Sequence, residues 1–235
     1  MLIVLPPSET KAAGGVDAPM SLSFPALDPV RTLLLDELTH TPVDTMMSEL
    51  KIPAGKRQEA EENLTLRSAP VMAAIRRYTG VLYDALDAAT LPGEALPHLA
   101  VGSALFGLVR AGDLIPRYRV SGGSKLDGKT IKAWWGTSVS DVLAEEDFVV
   151  DMRSGAYQQL GPVPGAVTVR VEQADTGKVV SHFNKQYKGE LARALAAEGA
   201  STNTRTIADV SDVADVAAGA GFRVEVRGEQ LVLLV

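Results

Sequence analysis

No cysteine occurs among the 235 residues, which excludes disulfides, thiolate metal sites and cysteine nucleophiles. Histidine is nearly as scarce, with 3 in the chain. His40 and His98 have no partner at H-x-H or H-x-x-x-H spacing, so a histidine metal site is unsupported, and neither a metal nor another cofactor is expected. No apolar run approaches the roughly 18 residues that a bilayer span requires. The opening residues, MLIVLPPSETK, lack the basic leader and apolar core of a secretory signal. The expectation is a cytoplasmic protein with no membrane partner. Positive charge is also short: Lys and Arg total 23 against 29 Asp and Glu, for a net charge of −6. A generally basic nucleic-acid coat is thereby excluded, whereas a local basic groove is not, because binding follows the distribution of charge more than its sum.

What is present is an ordinary globular composition, 46% hydrophobic and 22% charged, long enough to bury a sizeable core. Leu2 to Leu5 is a short apolar run that reads as a buried strand ended by Pro6 and Pro7. Asp28-Pro29 is a helix start, a capping side chain before a proline, with the helix running to about His40. Thr41-Pro42 opens a second helix to about Lys51, Ile52 to Gly55 turns the chain, Lys56 to Leu64 is a third helix, and Ser68 caps a fourth through Tyr78. Thr130 to Ala144 carries an apolar stripe of Ile131, Trp134, Trp135, Val139 and Val142 at helical spacing, which places at least one tryptophan in the core. Phe148 to Met152, Ala166 to Val171 and Val179 to Phe183 read as strands, and Lys185 to Ala197 and Ile207 to Ala217 as helices. Phe222 to Arg227 and Gln230 to Val235 form a hairpin around Gly228-Glu229. Strands at both ends with helices between predict a single α/β (α+β) domain over residues 1–235, a mixed sheet flanked by helices. Asp209, Asp212 and Asp215 share helical spacing and read as a solvated acidic face.

The segment Ser103 to Gly136 is the densest in chemistry, holding both tryptophans with Arg110, Arg117, Arg119, Lys125, Lys129 and Lys132. Within it Gly123 to Thr130 satisfies G-x-x-x-x-G-K-[ST], the phosphate loop of NTPases. The context is poor for that reading. Arg117 to Val120 alternates charge where a buried strand is needed, and Asp127 would set a carboxylate in the phosphate cradle. A polar turn entering a helix is the preferred reading.

Ser103-Ala-Leu-Phe-Gly-Leu-Val-Arg110, Asp113-Leu-Ile-Pro-Arg-Tyr118-Arg119, Gly128-Lys129 and Trp134-Trp-Gly136 resemble the YaaA peroxide stress protein family. Met1 to Lys11 is similar to its opening strand and S-P-A-K-T-like loop, although Pro7-Ser-Glu-Thr-Lys11 adds a carboxylate. Tyr78-Thr-Gly-Val-Leu-Tyr83, Asp151-Met-Arg-Ser-Gly-Ala-Tyr157 and Ser181 to Arg193 resemble further stations in the right order, with Gly155-Ala156 where the family usually has an acidic residue. The resemblance implies a YaaA-like fold, a role in limiting hydrogen peroxide damage, and binding of DNA, distorted, nicked or bubble duplex, in a basic cleft. A helix-hairpin-helix element is associated with that binding, and its local candidate is the Ile52 to Gly55 turn with Lys56 and Arg57.

The residues that can meet phosphate are Thr10, Lys11, Lys56, Arg110, Arg117, Arg119, Lys125, Lys129, Lys132, Lys185, Lys188 and Arg193. Arg offers bidentate contacts and Lys a point charge. Tyr118, Trp135 and Tyr187 can stack on exposed bases. Ser8, Thr10 and Lys11 follow the first strand, a common ligand position in α/β folds. Ser154, Tyr157 and His182 can supply an alcohol, a phenol and a base. Whether the protein is an enzyme stays open at this stage; the catalytic candidates are Ser8, Lys11, Ser154 and Tyr157. A nucleotide or nucleobase-like small molecule is the alternative partner.

Overall fold

The computed structural model describes residues 1–180, 183–201 and 206–235. The first strand, β1 (Leu2–Leu5), is fully buried on both faces, as the centre of a parallel sheet requires. After a long loop come α1 (Asp28–His40) and α2 (Val43–Glu49), then α3 (Arg57–Glu62) between two short 3₁₀ turns. A short strand, β2 (Val71–Ala73), leads into α4 (Ala74–Arg77) and α5 (Val81–Leu86). Next are β3 (Leu99–Ser103), β4 (Gly107–Arg110), β5 (Leu114–Pro116) and a small hairpin, β6 (Lys125–Leu126) and β7 (Lys129–Thr130). The rest comprises α6 (Ile131–Trp135), α7 (Ser138–Leu143), β8 (Val149–Asp151), α8 (Ala156–Gln159), β9 (Val167–Glu172), α9 (Asn184–Gly199), α10 (Val210–Gly219), β10 (Arg223–Arg227) and β11 (Gln230–Leu234).

Seven strands form one mixed sheet in the order β10-β11-β9-β8-β1-β3-β4. The five inner strands run parallel, β1 pairing with β3 and β8, β8 with β9, and β9 with β11, while β4 and β10 add antiparallel edges. The α/β domain with a mixed sheet flanked by helices is as the sequence predicts. So are β1, the terminal hairpin and the span of α1. Asp28, however, is not a side-chain cap: a 3₁₀ turn precedes the helix, and the Asp28 carboxylate accepts from Arg31 at 2.8 Å.

Three element readings need correction. The helix expected from Ser68 to Tyr78 is half strand, because Val71 to Ala73 pairs antiparallel with β5 and only Ala74 to Arg77 is helical. The helix expected over Thr130 to Ala144 is two helices, broken at Gly136, which takes φ 54. Val179 makes only an isolated bridge to Glu172 rather than opening a strand, and Ser181 and His182 lie outside the described residues. Asp209 and Asp212, read as an acidic face, form a reciprocal capping box at the start of α10.

The phosphate-loop pattern is resolved by the same hairpin. Gly123 to Thr130 does not join a buried strand to a helix; it holds β6, a tight turn with Asp127 and Gly128 both at positive φ, and β7. The turn amides that a phosphate would need are already committed, since the N–H groups of Asp127 and Gly128 donate to the Glu49 carboxylate at 2.9 and 3.3 Å. Thr130 caps α6 by accepting from the Ala133 N–H.

Candidate functional site

The chain leaving β1 returns to the sheet at β3, while the chain leaving β8 returns at β9 on the other side. The connections therefore diverge above the carboxyl ends of β1 and β8, which is where open parallel sheets form ligand crevices. A cavity of about 550 Å³ opens there. Its walls are Pro6 to Thr10 after β1, Thr79 to Tyr83 at the start of α5, Met152, Ser154 and Tyr157 after β8, and Asn184, Lys185 and Lys188 on the first turns of α9. A smaller cavity of about 110 Å³ shares Glu9 and Thr10 with it and adds Lys11, Lys56, Glu59, Glu62, Arg117 and Tyr118.

Local chemistry explains why the loop after β1 stands where it does. Pro6 and Pro7 lack the N–H groups that would continue the ladder. The Tyr83 hydroxyl donates to the Pro6 carbonyl at 2.8 Å. The buried Arg77 guanidinium donates to the carbonyls of Ala12, Gly14, Pro70 and Ile115, fixing the far end of the loop. Between these anchors Ser8 and Thr10 hydroxyls lie 3.1 Å apart, and the Thr79 hydroxyl donates to Thr10 at 3.1 Å. Below them the Tyr78 and Tyr118 hydroxyls share a 2.7 Å hydrogen bond, and Ser103 Oγ meets Tyr118 at 2.8 Å.

Ser8, Thr10, Lys11, Ser154, Tyr157, Lys185 and Lys188, distant in sequence, border the two neighbouring cavities, and Lys56, Arg117 and Tyr118 line the smaller one. Arg119 reaches the same place by pairing with Glu9 at 2.8 Å. Three of the cations there are paired with carboxylates: Arg119 also lies 3.6 Å from Glu59, Arg117 pairs with Glu62 and Lys56 with Glu59. The Arg119 backbone is clamped by Asn63, whose amide oxygen accepts its N–H and whose amide nitrogen donates to its carbonyl.

Other sequence candidates stand elsewhere. Arg110 lies in a separate cavity, paired with Glu146 and over the Phe24 ring. Trp135 is 1% exposed with its indole N–H donating to the Ala104 carbonyl, so it has no free face for a base. Tyr118 is likewise buried, leaving a hydroxyl network rather than a stacking platform, and Tyr187 packs edge-on against Phe222. Lys125, Lys129 and Lys132 are exposed around the β6–β7 hairpin, Lys129 lying over the Trp134 ring. The connection from α2 to α3 exists, but it runs through a 3₁₀ turn, and Arg57 pairs with Asp44 and Glu61; a helix-hairpin-helix is not established. His182 lies outside the described residues. Sequence reasoning missed Glu9, Glu59, Thr79, Asn63, Arg77 and Asn184 as parts of the site; of these Glu9, Thr79 and Asn184 sit inside stretches whose neighbours it singled out.

Two amines, Lys188 buried and Lys11 half-buried, distinguish the crevice. Lys188 is 5% exposed and donates to the Met152 carbonyl at 2.9 Å; burial pulls it down to about 8, with Asp151 opposing. Lys11 also falls to about 8, first through desolvation and then through Arg119 and Arg117, against the pull of Glu9 and Glu59. Burial pushes Tyr78 up to about 12 and raises Tyr83, Tyr118 and Tyr157 as well.

A pH dependence of stability follows. Below pH 8 both lysines are protonated folded and unfolded, and the burial cost is fully present. Between about 8 and 10.5 the unfolded chain holds the protons that the folded chain has shed, so stability rises with pH. The ceiling is about 3 kcal/mol per lysine. Above pH 10 the unfolded tyrosines ionise while the buried ones do not, and stability falls. Urea unfolding should therefore give a maximum between pH 9 and 10, and Lys188→Met should flatten the rise. A curve falling steadily from pH 7 would contradict this account.

The model of the family described as "Peroxide stress protein YaaA" matches residues 1–219. The chain belongs to this family. Among its relatives, a UPF0246 protein of Corynebacterium efficiens is 55% identical over 100% of both chains. A UPF0246 protein of Corynebacterium glutamicum is 52% identical over 96% of this chain and 95% of its own. One from Streptomyces coelicolor is 43% identical over 85% and 84%. Several residues of the YaaA resemblance have physical work in this fold: Asp113 accepts from the Ser23 N–H and hydroxyl and the Arg110 N–H, and Gly107 passes so close to Trp135 that an added Cβ would lie 2.9 Å from its ring. No helix among the described residues is long and apolar enough to cross a membrane.

Proposed function

We propose that this YaaA-family protein serves the peroxide-stress response by binding, and acting on, a phosphate-bearing nucleotide or nucleobase-like small molecule in the crevice above β1 and β8. The observation that carries this reading is Lys188: a buried ammonium whose hydrogen-bond partner is a neutral carbonyl, facing a 550 Å³ cavity ringed by hydroxyls. A compact anion would add to the counter-charge that Asp151, committed to Arg153, supplies only in part, and the volume suits a ligand of nucleotide size. The pairing of Lys56, Arg117 and Arg119 with Glu9, Glu59 and Glu62 favours one phosphate over a polyanion. The test is thermal unfolding with AMP. At a hundred times its Kd the ligand should add about 2.7 kcal/mol, a rise of roughly 5–10 °C for a chain of this size, lost in Lys188→Gln. No shift with AMP or ribose 5-phosphate at millimolar concentration would sink the reading.

DNA binding is the second reading, favoured by the exposed Lys125, Lys129 and Lys132 around the β6–β7 hairpin. It predicts salt-dependent binding of bubble duplex that survives Lys188→Gln but is lost when those three lysines become alanine.

A further inference from the structure

Lys11 lies against two buried tyrosines, its Nζ 4.3 Å from the Tyr118 ring centroid and 5.5 Å from that of Tyr78. It donates to the Ser8 carbonyl at 3.0 Å. The charged groups facing it are Glu9 on its own loop, Glu59 and Glu62 on α3, Lys56 just before α3, and Arg117 and Arg119 after β5. The carboxylates that would hold an ammonium are already engaged, Glu9 and Glu59 by Arg119 and Lys56, and Glu62 by Arg117. Desolvation and two neighbouring guanidiniums oppose the charge that the aromatic faces and Glu9 favour, and burial prevails, which is the setting in which lysine becomes a nucleophile. Lys11 titrating at about 8 agrees with that setting. The smaller cavity before it shares two lining residues, Glu9 and Thr10, with the larger one.

We propose that Lys11 forms an imine with the aldehyde or ketone of a ligand whose anionic group sits in the larger cavity beside Lys188. This rests on the crevice being a ligand site. The lone pair of neutral Nζ adds to the carbonyl carbon, the carbonyl π pair moves to oxygen, and one N–H proton passes from nitrogen to that oxygen to give the carbinolamine. The remaining N–H proton passes to the departing hydroxyl, which leaves as water while the nitrogen electron pair closes C=N. No oxidant or reductant enters. The Ser8, Thr10 and Thr79 hydroxyls, linked in steps of 3.1 Å along the larger cavity, with Thr10 lining both cavities, are placed to carry those protons. Lys188, held by the Met152 carbonyl, supplies charge rather than the nucleophile. Sugars and bases damaged by peroxide carry carbonyl groups, so this ligand class fits a stress role without the thiol chemistry that the chain lacks.

Brief labelling of the full chain with formaldehyde and cyanoborohydride, read by peptide mass spectrometry from pH 6 to 10, tests the amine directly. Formaldehyde is small enough for the 110 Å³ cavity. At pH 7 about one Lys11 in ten is neutral against fewer than one in a thousand ordinary lysines, so Lys11 should methylate at least about tenfold faster than Lys125 or Lys129, with its half-maximal rate near pH 8. Ribose 5-phosphate with the same reductant should then leave one adduct on Lys11, absent in Lys11→Arg and weakened in Lys188→Gln. Labelling of Lys11 no faster than Lys125, or an adduct on Lys188 instead, would overturn the proposal. Stabilisation by ribose 5-phosphate without an adduct would overturn the imine while leaving the ligand site standing.

Discussion

Gly189→Ala should destabilise the protein by about 3 kcal/mol through overpacking, lowering the melting temperature by roughly 6–12 °C for a chain of this size. Gly189 sits in the middle of α9, where alanine would ordinarily be better by about 1 kcal/mol. Here the opposite sign is expected, because α5 crosses α9 at this residue. An added Cβ would stand 2.3 Å from the Leu82 carbonyl oxygen and 2.8 Å from the Ala85 Cβ. Backbone cannot swing aside as a side-chain tip can, so the two helices must separate. That separation also damages the crevice, since α5 contributes Val81, Leu82 and Tyr83 to its wall and α9 contributes Asn184, Lys185 and Lys188. Urea unfolding and AMP titration of the variant check both effects. A variant as stable as the parent, with unchanged affinity, would mean that this crossing does not set the cavity.

Arg153→Met should cost about 3–5 kcal/mol, the usual penalty for stranding one partner of a buried ion pair. Asp151 ends β8 and is 4% exposed; Arg153 is 1% exposed and grips both carboxylate oxygens, at 2.9 and 3.0 Å, while donating to the Gly161 carbonyl at 2.7 Å. Removing the guanidinium leaves the carboxylate without its bidentate partner and Gly161 without its donor. The double variant Asp151→Asn with Arg153→Met should be less damaged than Arg153→Met alone, because no stranded carboxylate remains. Equal loss in both would show that packing around Gly102, whose position an added Cβ would bring within 2.6 Å of Arg153 Cδ, matters more than charge.

The elements legible in the sequence are those whose cause is local. The apolar run of β1, the turn chemistry of the terminal hairpin and the long span of α9 depend on residues near in the chain, and each appears as read. Val71 to Ala73 failed as helix because its partner, β5, lies some forty residues away and only that pairing makes it a strand. The phosphate-loop pattern misled for a related reason: Glu49, remote in sequence, fills the turn amides that a phosphate would have used.

By itself the sequence determined the family, the α/β class and the list of polar residues from which a site could be made, because these follow from motif order, periodicity and composition. It also placed Ser8, Thr10 and Lys11 at the end of β1, where strand ends commonly bind ligands. Only the tertiary structure decided which residues meet. It seats Lys11 on Tyr78 and Tyr118, sets Lys188 under the cavity, removes Trp135 into the core and Arg110 to another face, and neutralises Arg117 and Arg119 with glutamates. The reason is physical: a side chain's charge, burial and partners are set by neighbours through space, and parallel strands bring those neighbours from widely separated stretches of the chain.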